Sequence, residues 1–194
     1  MTDRESYRIG VVSDTHGSKQ AMIDAMTIFR KEGDPDLIIH LGDVCYHGPR
    51  NPLPEGYGPM ELAAMLKEIP EERIKFVRGN CDNAADEKAC GHPLHLVSRI
   101  IETPLGKIHC EHGDLRDEDG RLYAALETGA RFTLSGHTHI KRLAEIQGVV
   151  VMNPGSPTLP KDGSPSCAII DAASVKMFDT SSGEVIETLA LTSS

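Results

Sequence analysis

Five short signatures rich in histidine, aspartate and asparagine fall in order along the chain: Asp14-Thr15-His16, Gly42-Asp43, Gly79-Asn80-Cys81-Asp82, His112-Gly113 and Gly136-His137-Thr138-His139. Between them they offer seven oxygen and nitrogen donors, on Asp14, His16, Asp43, Asn80, His112, His137 and His139. Carboxylate, amide oxygen and imidazole are ligands for divalent first-row metals. Seven are too many for one ion and suit two, so the set implies a binuclear centre. Two ions roughly 3.5–4 Å apart can acidify a bridging water and clamp a phosphoryl group, and the chemistry expected is hydrolysis of a phosphate ester. Each signature taken alone also reads as a turn: an Asx turn at Asp43, a capping Asp at Asp14, a polar turn at Asn80. Together they are more than turns, because each closes a run that reads as a strand.

The elements that must position these residues follow from hydrophobic pattern. Residues 8–13 read as a first strand. Ser18 can cap a helix to about Lys31, with Ala21, Met22, Ala25, Ile28 and Phe29 at helical spacing. Residues 37–41 form a short continuously apolar run, the pattern of a strand buried on both faces, and complete a βαβ opening. A Gly-, Pro- and Asn-rich loop spans 44–59, a length that often marks function. A helix near 59–68 and a third strand at 74–77 follow. The second half reads as strands near 94–101, 107–110, 131–134, 143–146 and 149–152, a short helix around 122–126, and a tail of strands and turns over 167–191. The expected fold is α/β, two packed β-sheets flanked by helices, in one domain over 1–194. Strand ends meet at one edge of such a fold, so Asp14 and His16, two residues apart, can aim at one ion.

Composition narrows the partners. With 194 residues and 39% hydrophobic content, the chain can bury a core without disulfides. Its five cysteines are odd in number and none has C-x-x-C spacing, so the expected compartment is the reducing cytoplasm. No apolar run approaches the ~20 residues of a membrane span, and residues 1–5 are charged, without a signal-peptide core. A net charge of −9 and 4% aromatic content argue against nucleic-acid binding.

The ordered blocks D-x-H, G-D, G-N-x-D, H-G and G-H-x-H resemble those of the calcineurin-like metallophosphoesterase superfamily. The loop Gly48–Tyr57, the segment Val77–Asp82 and Asn153-Pro154-Gly155-Ser156 narrow the resemblance to the small bacterial YfcE-like phosphodiesterases. It implies a β-sandwich flanked by helices, with one metal held by Asp14, His16, Asp43 and His139. It implies a second held by Asp43, Asn80, His112 and His137, with Asp43 bridging. It favours Mn²⁺, with Zn, Fe, Co and Ni the other ions suited to the donors, and it suggests a homo-oligomer.

The expected activity is a metal-dependent phosphodiesterase acting on a small organic phosphate ester, with a metal-bridging hydroxide attacking phosphorus and Asp43 and Asn80 supporting catalysis. A phosphomonoesterase on the same centre and a catalytically silent scaffold, for which the retromer subunit of this fold is the precedent, are the alternatives. Cys81 departs from the wider superfamily, where histidine follows the asparagine and can protonate the leaving group. A thiol is a poor substitute, so activated esters should be favoured; packing is the competing role for Cys81. His47 and Arg50 are candidate substrate contacts, since arginine binds phosphate bidentately. Asp114 follows Gly113 where relatives carry histidine and reads as a turn residue. His40, His92, His95 and His109 match no motif position and read as structural or surface residues.

Overall fold

The structure, a computed structural model, describes residues 3–192. Its first sheet has the order β11 (Val185–Ala190), β10 (Ser174–Asp179), β9 (Ser166–Ile170), β1 (Ile9–Val12), β2 (Leu37–His40), β3 (Ile74–Phe76). The second has the order β4 (Ser98–Thr103), β5 (Gly106–Glu111), β6 (Phe132–Leu134), β8 (Val149–Asn153), β7 (Arg142–Ile146). The strands that lead into the signatures run parallel within each sheet: β1 with β2, β2 with β3, and β5 with β6. Their carboxyl ends therefore lie together.

Alternation along the strands divides the apolar residues. Ile9, Val11, Leu37 and Ile39 of the first sheet meet Ile108, Phe132, Leu134 and Met152 of the second in the core between the sheets. The opposite faces carry the helices. α1 (Lys19–Lys31), α2 (Pro59–Lys67) and α3 (Ala84–Cys90) cover the first sheet through Met22, Phe29, Leu62, Leu66 and Cys90, packed on Ile38, Phe76 and Ile169. α4 (Glu118–Thr128) covers the second through Leu122 and Ala125 against Val149 and Val151. This is the two-sheet, helix-flanked α/β architecture expected.

Local differences have local causes. α3 was not expected from its apolar pattern, because only Cys90 in it is buried. Its ends are nonetheless written in the sequence, in a capping box between Asn83 and Asp86 and a left-handed Gly91. α4 runs past the expected 122–126 at both ends, capped by Asp117 and stopped at Gly129. The strand expected from residue 94 begins at Ser98. Ser18 caps α1 by accepting from the Ala21 N–H.

Candidate metal centre

Each signature occupies a turn just after a strand, and the backbone there is unusual. Asp14, His16, Asp43, His137 and His139 all have positive φ, between 45° and 67°. Left-handed conformations of non-glycine residues are uncommon and gather at functional sites. Asp14 and His16 converge through two left-handed residues in a turn beyond the end of β1. The turns touch so closely that only glycine fits between them. A Cβ on Gly42 would lie 2.5 Å from the Gly79 nitrogen, and one on Gly136 would run into the Ser13 hydroxyl and the Asp14 carboxylate.

The side chains form two adjoining clusters. In the first, Asp14 Oδ2 accepts from the Ser13 hydroxyl and the His137 N–H. Asp14 Oδ1 has no hydrogen-bond partner although fully buried. It faces His139 Nε2 at 3.3 Å, His16 Nε2 at 3.8 Å and His112 Nε2 at 4.0 Å. His16 Nε2 and His139 Nε2 are 3.1 Å apart. The Nδ1–H of His16 donates to the Tyr46 carbonyl, that of His139 to Leu159 and that of His112 to Leu41. Carbonyls only accept, so each of these bonds places a proton on Nδ1, and in a neutral ring, as burial favours for His16, Nε2 is left as a lone pair. Two lone pairs and an orphaned carboxylate oxygen then converge on one point, an arrangement that repels itself unless a cation sits there. The residues present fit a divalent metal.

In the second cluster, Asn80 Oδ1 lies 2.8 Å from His137 Nδ1 and 3.2 Å from His112 Nε2. Asp43 joins the two. Its Oδ2 is 3.8 Å from His16 Nε2 and its Oδ1 is 3.5 Å from His112 Nε2. All seven expected ligands are thus brought together. Cys81 also comes close, since its sulfur lies within 4.8 Å of donor atoms on His16 and Asp43.

Burial opposes charge on Asp14, but the adjacent imidazoles of His139 and His112 hold its carboxyl below the usual range. Burial likewise opposes Asp43, and His112 with the Cys81 N–H pulls it well below the usual range. Burial lowers His16. For His112 burial is outweighed by Asp43 and Asp14, which raise it to about 9. Burial, with Asp43 second, pushes the Cys81 thiol up to about 12.

Several supporting residues lay outside the ligand reading. Asp82 accepts from the N–H groups of Asp43, Val44 and Gly79 at 2.8–2.9 Å, tying the second signature to the third; burial holds its carboxyl at about 6. His40, expected to be structural, is fully buried behind the first two turns. Its Nδ1 accepts from the Gly42 N–H, and its Nε2–H donates to Thr15 Oγ1, whose hydroxyl donates to the Val44 carbonyl. Asn153 donates to the Gly136 carbonyl and Thr138 Oγ1, and Ser156 to the Asp14 carbonyl. The position of Asn153-Pro154-Gly155-Ser156 after a strand was the available signal.

The expected substrate contacts are less engaged. His47 stacks edge-on against Tyr46 and Tyr57. Arg50 is exposed and forms no side-chain hydrogen bond or ion pair among the described residues. Their loop reaches the cluster at Gly48, where a Cβ would lie 3.1 Å from the Cys81 sulfur.

A sandwich whose parallel strand ends present this donor set defines a metallophosphoesterase-type fold and site. The chain belongs to the calcineurin-like phosphoesterase superfamily, whose domain matches residues 7–174. It is 37% identical over 155 residues to the phosphodiesterase YfcE of Escherichia coli strain K12, across 79% of this chain and 81% of that one. It is 30% identical over 185 residues to the probable metallophosphoesterase YsnB of Bacillus subtilis strain 168, across 90% and 92% of the two chains. The structure of the E. coli YfcE phosphoesterase matches with a TM-score of 0.84 at 27% identity, covering 95% of this chain and all of the other. Vps29 of Cryptosporidium parvum matches with a TM-score of 0.67 at 18% identity, covering 96% and 98%, a likeness of fold alone. Among the described residues no helix is long and apolar enough to cross a membrane.

Proposed function

We propose that this protein is a binuclear metal-dependent phosphodiesterase acting on a small organic phosphate ester. The observation that carries it is the buried, partnerless Asp14 Oδ1 facing the Nε2 atoms of His16, His139 and His112. Asp14, His16, Asp43 and His139 would hold one ion. Asp43, Asn80, His112 and His137 would hold the other, with one Asp43 oxygen directed to each. Mn²⁺ heads the candidates, followed by Zn, Fe, Co and Ni. Bound there, the ions would supply Lewis acidity and an activated water for attack on phosphorus.

The chain's own groups orient and neutralise. Backbone carbonyls of Tyr46, Leu159 and Leu41 hold three imidazoles with their Nε2 atoms inward. The Asn80 side chain donates to the Cys81 sulfur and so keeps its oxygen toward His112 and His137. The neutral Cys81 thiol is a weak acid for a departing alkoxide, which favours aryl and other activated leaving groups. Among the described residues no lysine or arginine side chain pairs with the cluster, and a diester, with one negative charge, makes the smaller demand on such cations. The similarity to YfcE, a phosphodiesterase by name, supports the same choice. His47 and Arg50, on the loop that reaches Cys81, are assigned to substrate binding. The cysteine usage supports a cytoplasmic setting, and the family resemblance supports self-association.

The test is a phosphate-ester panel after metal stripping and reloading with each ion. Faster turnover of bis-aryl than mono-aryl phosphates, restored by Mn²⁺, supports this reading. The reverse preference turns it into a monoesterase, and a metal-loaded protein inert toward every activated ester makes it a scaffold.

A further inference from the structure

A cavity of about 200 Å³ lies at the same end of the second sheet but on its helix-covered face, lined by Glu118, Arg121, Ser135, Thr138, Lys141 and Arg142. Alternation places it there: Phe132 and Leu134 enter the core between the sheets, and Ser135 points the other way, toward α4. None of the seven ligand candidates lines it. It nevertheless backs their turns. Thr138 stands between His137 and His139, and a Cβ on Gly113 would lie 3.4 Å from an Arg121 guanidinium nitrogen.

Arg121 is the uncommon element. It is 91% buried, counting from 9% exposure. Its one side-chain hydrogen bond among the described residues goes to the Arg116 carbonyl, and no ion pair among them includes it. The acids whose charge reaches it are committed elsewhere, Glu111 to Arg116 and His109, Glu118 to Arg142, and Asp117 to the Gly120 N–H. Lys141 is satisfied by Asp162 at 2.6 Å. Arginine stays charged under all ordinary conditions, and a buried charge is expensive unless paired. Ser135, a residue only 5% exposed, lines the cavity and makes no side-chain hydrogen bond among the described residues. Arg121 is thus the one cation of the lining without an ion-pair partner among the described residues.

We propose that this cavity is a second anion site, taking a small tetrahedral oxyanion of the phosphate or sulfate type between the Arg121 guanidinium and the Ser135 hydroxyl. Guanidinium matches such an oxyanion bidentately. The proposal does not depend on the metal reading, because its residues are a separate set.

Inorganic phosphate binding, measured by titration calorimetry on the full chain before and after metal stripping, tests it. One saturable site must survive stripping. Arg121→Met must weaken that site at least tenfold while the circular dichroism spectrum stays native. Should Arg121→Met fail to fold, Ser135→Asp, which sets a carboxylate beside the guanidinium, must abolish the same binding. Absence of a saturable site at millimolar phosphate in the stripped protein overturns the proposal. So does wild-type affinity in a folded Arg121→Met or Ser135→Asp protein. Loss of phosphatase activity with the stripped-state site intact would count only against the metal reading.

Discussion

The two halves of the candidate metal centre are built to different standards of enclosure. Asp14, His16 and His139 are buried, as is the shared Asp43. Behind them stand His40, Thr15, Ser156 and Asp82, each tied to the backbone of a metal turn. Across Asp43, only His112 is buried; Asn80 is exposed and His137 half-exposed. The sealed half is preorganised, so a cation bound there would meet fixed donors and little competing solvent. The open half has donors that water and substrate can reach. The difference teaches that one donor list can serve two tasks, holding an ion and presenting one, and that burial decides which residue does which.

Breaking the sealed half should have the largest effect. Asp14→Asn removes the charge on the orphaned oxygen, and affinity for the tighter ion should fall at least about 1000-fold, beyond the roughly 10–100-fold typical of outer-shell changes. Competition against a chelating dye reads this directly; an affinity within tenfold of wild type would sink the assignment of the tighter ion to this half.

The sealed half also carries a pH signature. Burial lowers His40 from 6.5 to about 4, so the folded protein holds it neutral. The unfolded chain takes up a proton below pH 6.5 and the folded one does not. Stability should thus be full above pH 6.5, fall between 6.5 and 4, and level below 4. The gap corresponds to about 3 kcal/mol. His40→Gln should lose this slope, as seen by urea denaturation across that range; identical slopes in variant and wild type would show that His40 does not report the sealed half.

Opening the open half further should cost less. His137→Ala should weaken the second ion by about 10–100-fold and leave the tighter one nearly unchanged, giving one strong site by calorimetry. Equal loss at both would erase the contrast between the halves. The smallest effect is expected at Cys81, beside the open donors. Cys81→His should raise turnover of alkyl esters about tenfold, at the low end of general acid catalysis, and leave aryl esters little changed. No gain on alkyl esters would make Cys81 a packing residue against Gly48.

Much of the site was legible in the sequence because the donors lie at strand ends, and strand ends are marked by apolar runs that stop at Gly-Asp, Gly-Asn or Gly-His. The residues that hold the turns from behind were less legible. His40 sits in a run read as a strand, and nothing in Leu37–Leu41 shows that its ring turns back to Gly42 and Thr15. α3 was missed for a related reason: its signal lies in caps at Asn83 and Gly91, not in apolar periodicity. The Arg121 cavity could not be read at all, since its residues come from α4, the segment between β6 and β7, and the first residue of β7.

By itself the sequence determined the kinds of donor atom, their order, and the glycines at Gly42 and Gly136 that let turns approach closely, because residue chemistry and strand periodicity are local properties. The tertiary structure alone decided which lone pairs meet, that one Asp43 oxygen serves each cluster, and which half is sealed. Those depend on packing between residues as far apart as Asp14 and His139, brought together only when the two sheets close on their shared core.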